Sequence, residues 1–98
     1  MSKGKPNQKA KRRRWTFILE AKDAQEVILM GDFNNWSSKK HPMQRDKDGT
    51  WNKTVMLFPG NHEYKFLVDG QWREDPSNDR LCQNCFGTYN SVINLTES

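Results

Sequence analysis

The residues of this chain best equipped to hold a ligand are aromatic. Among 98 residues there are four tryptophans, and two stand beside turn signals rather than inside apolar runs. Trp36 closes the stretch "GDFNNW", directly after a pair of asparagines that favour a turn. Trp72 lies two residues past the turn signal Asp69-Gly70. An indole held at a surface by a turn offers a flat apolar face to a ring-shaped ligand. That is binding chemistry, and no reactive set accompanies it. The chain has no Gly-rich phosphate loop, no G-x-S-x-G and no H-E-x-x-H. Its acids sit mainly in turns, at Asp46, Asp48, Asp69, Asp75 and Asp79, where aspartate usually bonds its own backbone. A two-carboxylate glycosidase needs a cleft that holds a sugar between the acids. A domain this small offers faces and grooves more readily, so the chain is read as non-enzymatic. Cys82-x-x-Cys85 is half a zinc pattern with no second pair, and His41 and His62 lack the H-x(3–5)-H spacing. Two free thiols on a loop are expected, with a local disulfide or metal half-site as the alternatives. No cofactor and no metal are expected.

The elements that must position the two indoles read as strands. Apolar spacing is mostly 2, and punctuation comes too often for a helix. "RWTFILE" alternates, with Trp15, Phe17 and Leu19 on one face. "VILM" at 27–30 is a continuous apolar run, the pattern of a strand covered on both faces. A polar loop runs from Asn34 to about Gln44. "TWNKTVMLF" follows, with Trp51, Val55 and Leu57 sharing a face. "HEYKFLVDGQWRED" is a hairpin, polar irregular chain continues to Gly87, and "NSVINL" is the last strand. Trp15 and Trp51 fall in register with aliphatic neighbours, so both are expected in the core. Six or seven short strands with frequent turns predict an all-β, immunoglobulin-like sandwich of two antiparallel sheets.

The hairpin register decides where Trp72 points. If Asp69-Gly70 is a two-residue loop, Val68 pairs with Gln71, Leu67 with Trp72 and Phe66 with Arg73. Directly opposed residues share a face. Tyr64, Phe66 and Val68 make the better core set, which turns Trp72 outward beside Lys65. Such a tryptophan is either a ligand platform or a cap on the sandwich making a cation–π contact with Lys65.

The charge is uneven. Met1 to Arg14 carries seven Lys/Arg and no acid, so the net +4 belongs to that stretch, and the remainder is acidic. Residues 1–12 are read as a disordered basic arm and 13–98 as the domain. No apolar run approaches a membrane span, and no apolar stretch follows the positive N-terminus as a signal peptide requires. A cytoplasmic, membrane-free monomer is expected.

"EVILMGDFNNW", "YKFLVDGQWREDP" and "FGTYNSVI", in this order, resemble the family-48 carbohydrate-binding module. This is the early-set or isoamylase N-terminal type, found in the β subunit of AMP-activated protein kinase and ahead of glycogen-branching and debranching domains. The resemblance runs from about Trp15 to Leu95, and short stand-alone bacterial members are the most similar. It implies a β-sandwich and a glucan surface built from Trp36, Trp72, Lys65 and a loop carrying Phe86, Gly87, Thr88 and Asn90. Kinase-type members have leucine where this chain has Phe86, which alters the shape of the loop that reaches over the sugar.

The function implied is non-catalytic binding of α-1,4-linked glucan: glycogen, starch or a malto-oligosaccharide. A glucose ring has C–H-rich faces for indoles to cover and rim hydroxyls for Lys65, Thr88 and Asn90. Hydrogen bonds at so shallow a site contribute about 0.5–1.5 kcal/mol each, so micromolar to millimolar affinity is expected. A glycogen-metabolising enzyme is a second candidate partner. The chain ends just past the last strand, so a free-standing binding protein or an excised fragment is expected, and the starting methionine with its basic arm favours the first. The rival readings are a protein-interaction module of the same fold without sugar affinity, and a weak nucleic-acid contact through residues 3–14.

Overall fold

The computed structural model describes residues 11–96. The basic arm expected over residues 1–12 therefore lies, but for Lys11 and Arg12, outside the described residues. Among the described residues eight strands form two antiparallel sheets. They are β1 (Arg13–Glu20), β2 (Val27–Gly31), β3 (Gln44–Arg45), β4 (Thr50–Leu57), β5 (Gly60–Val68), β6 (Gln71–Arg73), β7 (Leu81–Gln83) and β8 (Tyr89–Leu95). The first sheet runs β1-β4-β3. The second runs β2-β5-β8-β7, with β6 also pairing β5. Among the described residues no helix is long and apolar enough to cross a membrane.

The core lies between the sheets. Phe17 and Leu19 of β1 meet Trp51, Val55 and Leu57 of β4 on the inner face, and Tyr64, Phe66, Ile93 and Leu95 face them from the second sheet. Phe17 sets its ring edge-on to Tyr64 with centroids 4.8 Å apart. Every residue of β2 is buried. The chain at 41–43 covers its free edge through Leu29 N–H to His41 O (3.0 Å) and Met43 N–H to Val27 O (2.8 Å). At the other end of the molecule Arg13 Nη1 donates to the carbonyl of Thr96 (2.5 Å).

Four expectations need correction. Trp15 takes the inward register but is 38% exposed. It stands near the start of β1, where a groove of about 450 Å³ shared with Asn78, Arg80 and Asn94 leaves it uncovered. The stretch before Gly87 is not all irregular: Leu81–Gln83 pairs β8, which puts Cys82 on a strand rather than a loop. Both cysteines are free and exposed. The polar loop expected up to Gln44 ends in a two-residue strand, β3, against β4. Asp69 does not bond its own turn. Its carboxylate accepts the backbone N–H groups of Gln25 and Glu26 instead.

The hairpin has the expected register: Val68 opposes Gln71, Leu67 opposes Trp72 and Phe66 opposes Arg73. Both loop residues have positive φ, 49° at Asp69 and 83° at Gly70, as a type I′ turn requires. Below it β5 changes partner. Residues 60–64 pair with β8, and 66–68 pair with β6. The wedge between these two strands is filled on the core side by a polar network. Tyr64 donates its hydroxyl to Asp75 Oδ2 (2.6 Å) and accepts from Asn78 Nδ2 (3.0 Å). Asp75 N–H donates to Ser91 Oγ (2.9 Å), and Asp75 Oδ1 accepts from Ser77 N–H (2.9 Å). Burial, followed by the adjacent carboxylate of Asp75, holds the Tyr64 phenol well above its usual range. Tyr64→Phe strips Asp75 Oδ2 of its protein donor and should cost about 1–3 kcal/mol of stability in urea unfolding. A cost below about 0.5 kcal/mol would mean that the network does not hold the wedge.

Candidate ligand-binding cleft

The first indole is positioned by the run that ends β2. Gly31 must be glycine, because a Cβ there would lie 2.6 Å from the Phe33 ring and 2.7 Å from Glu63 O. Asp32 Oδ2 then accepts Glu63 N–H (3.0 Å), and its Oδ1 stands 3.4 Å from His62 Nδ1. Phe33 stacks on Phe17, centroids 5.5 Å apart. Asn34 is buried and acts as the hub of the loop. Its Oδ1 accepts Gly31 N–H (3.1 Å), and its Nδ2 donates to Leu29 O (3.0 Å) and to His41 Nδ1 (2.8 Å). Asn35 and Trp36 both have φ of 57°, in the left-handed region. For tryptophan this costs about 1–2 kcal/mol. The conformation is held by Trp36 N–H to Gly31 O (2.9 Å) and Ser37 N–H to Asn34 O (3.1 Å).

The second indole comes from β6. Trp72 is 53% exposed. Its ring centroid lies 6.4 Å from that of Trp36, with the planes at 72°. Two walls at nearly a right angle result. Lys65 enters the same cleft beside Trp72, from the point where β5 changes partner. Its Nζ is 6.0 Å from the Trp72 ring centroid and donates to Thr88 Oγ1 (3.2 Å). Lys65 is only 7% exposed, and no carboxylate stands within ion-pair distance among the described residues. A buried ammonium with one protein acceptor has two N–H donors left to satisfy.

The far wall is the turn joining β7 to β8. Asn84 N–H donates to Thr88 O (2.8 Å) and closes it, and Gly87 supplies the left-handed residue at φ 84°. Phe86 stands at the tip, 85% exposed. Of the seven expected site residues, Trp36, Lys65, Trp72, Phe86, Thr88 and Asn90 line one cleft of about 710 Å³. Gly87 does not line it and serves the turn. Asn90 is buried, held by Asn84 at its carbonyl and Glu63 at its amino group. Asp32, Glu63, Gln83, Asn84 and Cys85 also line the cleft and are not among the expected residues. For Asn84 the sequence does carry a signal: an asparagine three residues before a glycine commonly folds back on its own turn.

His41 ties this cleft to pH. It accepts from Asn34 at Nδ1, so the neutral ring carries its proton on Nε2. Burial, then the charges of Lys53 and Lys40, hold its pKa below the ordinary 6.5. The unfolded chain therefore takes up a proton at His41 more readily than the folded one. Stability conferred by neutral His41 is full above pH 6.5 and is lost as pH falls through the lower folded-state value. His41→Gln should flatten the fall in melting temperature between about pH 7 and pH 5 relative to the unaltered protein, and an identical fall would exclude this role.

The strained backbone makes a separate prediction. Glycine has no left-handed penalty, so Trp36→Gly should be about 1 kcal/mol more stable than Trp36→Ala by chemical denaturation. At Trp72, on a strand, the order should reverse. Alanine superior at both positions would show that the loop relaxes on losing the indole.

Comparison with known proteins gives a match over residues 15–98 to the family described as "Glycogen recognition site of AMP-activated protein kinase". The protein FLOURY ENDOSPERM 6, chloroplastic, of Oryza sativa subsp. japonica is 37% identical over 83 residues, covering 85% of this chain and 15% of the relative. The 5'-AMP-activated protein kinase subunit beta-2 of Homo sapiens is 38% identical over 94 residues, covering 96% of this chain and 32% of the relative. The protein PTST homolog 2, chloroplastic, of Arabidopsis thaliana is 41% identical over 59 residues, covering 60% and 11%. The chain thus spans about a third or less of the length of these relatives.

Proposed function

Because the chain belongs to that glycogen recognition family, a family of carbohydrate-binding modules, we propose that it binds α-1,4-linked glucan without cleaving it, by laying glucose rings against Trp36 and Trp72. The observation that carries this reading is the pair of indoles at 72° to one another, with the Lys65 ammonium beside Trp72 in the same cleft. A linear planar ligand would favour parallel walls. A curving chain of rings, each tilted from the last, suits walls set at an angle. The C–H-rich ring faces cover the indoles, and rim hydroxyls supply the acceptors that Lys65 lacks within the protein. Phe86 adds an apolar contact at the tip of a turn closed at its base by Asn84.

The site is open and its polar groups exchange with water, so single-site affinity is micromolar to millimolar. Retention on a glycogen particle is tighter, because many chain ends are offered at once.

Calorimetric or NMR titration with maltoheptaose tests this. Trp36→Ala and Trp72→Ala should each weaken binding at least about tenfold, as loss of an aromatic anchor does. The double variant should pass through glycogen beads while keeping its fold. A folded, unaltered protein that neither binds maltoheptaose nor is held on the beads would leave the reading without support.

A further inference from the structure

Glu63 lines the cleft, and the proposed stacking on Trp36 and Trp72 gives it no task. We propose that Glu63 is a sugar-binding and specificity residue: one carboxylate oxygen orients Asn90, and the other accepts a hydroxyl proton from the glucan. This role rests on the glucan-binding reading above and names the group that supplies its acceptor side.

The direction of each proton in the cleft follows from groups that can only accept or only donate. A carboxylate only accepts. Asn90 must therefore turn Nδ2 toward Glu63 Oε1 (3.0 Å), and its Oδ1 is left to accept from Asn84 Nδ2 (3.1 Å). Asn84 gives its other amide proton to Thr88 Oγ1 (2.7 Å), while its Oδ1 accepts the backbone N–H groups of Phe86 (3.0 Å) and Thr88 (3.1 Å). The array is thus fixed at both ends by groups that cannot reverse: a carboxylate at one, backbone amides at the other. Thr88 Oγ1 already accepts from Asn84 and from Lys65 (3.2 Å), so its own proton is directed elsewhere.

The consequence is a polarised cleft. Lys65 and Thr88 present donors. Sugar hydroxyls both donate and accept, so a neighbouring pair of them also needs an acceptor. Asp32 is the other carboxylate in the cleft: its Oδ2 is committed to Glu63 N–H, and its Oδ1 stands 3.4 Å from Nδ1 of His62, whose Nε2–H donates to Phe58 O. Glu63 Oε2 has no hydrogen bond among the described residues. Glu63 and Lys65 stand two apart on β5, on one face, yet are not within ion-pair distance. No ion pair ties the two together, so each keeps hydrogen-bonding capacity for the ligand.

Glu63→Gln separates the two tasks. The glutamine carbonyl still accepts from Asn90, but the second oxygen becomes an NH₂ donor. The expected result is an unchanged melting temperature and unchanged Asn84 and Asn90 side-chain amide signals, with maltoheptaose binding weakened about tenfold, the loss typical of a hydrogen bond to a charged group. Among oligosaccharides lacking the 2-, 3- or 6-hydroxyl, one should bind the unaltered protein and the Glu63→Gln variant equally, because the donor that Glu63 accepts is gone. Maltoheptaose binding equal to that of the unaltered protein would overturn the proposal. So would weakened binding accompanied by shifted Asn84 and Asn90 signals, or weakened binding that persists with all three deoxy ligands. If the unaltered protein does not bind maltoheptaose, the glucan reading itself fails, a result distinct from these.

Discussion

The structure depends on β5 being unable to keep one partner along its length. Up to Tyr64 it is paired with β8; from Phe66 it is paired with β6. Backbone and side-chain polar groups in the wedge between those strands must still be satisfied. On the core side Tyr64, Asp75, Asn78 and Ser91 do this with one another. On the outer side the wedge opens under Lys65, and the long side chain stands in it with few acceptors. The core network and the cleft are therefore two faces of one topological event. The gap that needs filling inside is the gap that can be filled from outside by a ligand.

Much of this is legible in the residues, and the parts that are not share a cause. The hairpin can be registered because Asp69-Gly70 dictates a two-residue turn, and the alternation of Tyr64, Phe66 and Val68 then chooses a face. That suffices to turn Trp72 outward. Leu81–Gln83 escapes notice because it is an edge strand with all three residues exposed, so it has no alternation to read. Trp15 misleads for the converse reason. Its face is right, but whether a face is covered depends on what stands opposite, and near the start of β1 the groove leaves it open. Glu63, Asn84 and the buried Asn34 are invisible to pattern because their roles are hydrogen bonds at particular angles. Periodicity reports burial, not proton direction.

The two walls of the cleft are made rigid by different means. Trp72 sits on a paired strand, and its position follows from register. Trp36 sits on a loop in a conformation that opposes a bulky side chain, and it is held there by Asn34 from beneath. A residue kept in an unfavourable region is kept by everything around it. The cost is local, and what it maintains is the angle between two rings before any ligand arrives. Binding then spends little on ordering the protein.

The contact between Arg13 and Thr96 has a consequence for how such a domain is carried. It brings the start of the first strand and the end of the last one side by side. A polypeptide can therefore enter and leave the sandwich at a single point, and closing so short a gap costs little entropy. That point lies at the end of β8 away from Asn90, about 20 Å distant at the usual rise of a strand. The sandwich can be spliced into the surface loop of a larger host like a bead on a bent wire. Its two attachments crowd together at one pole, and the opposite pole stays clear.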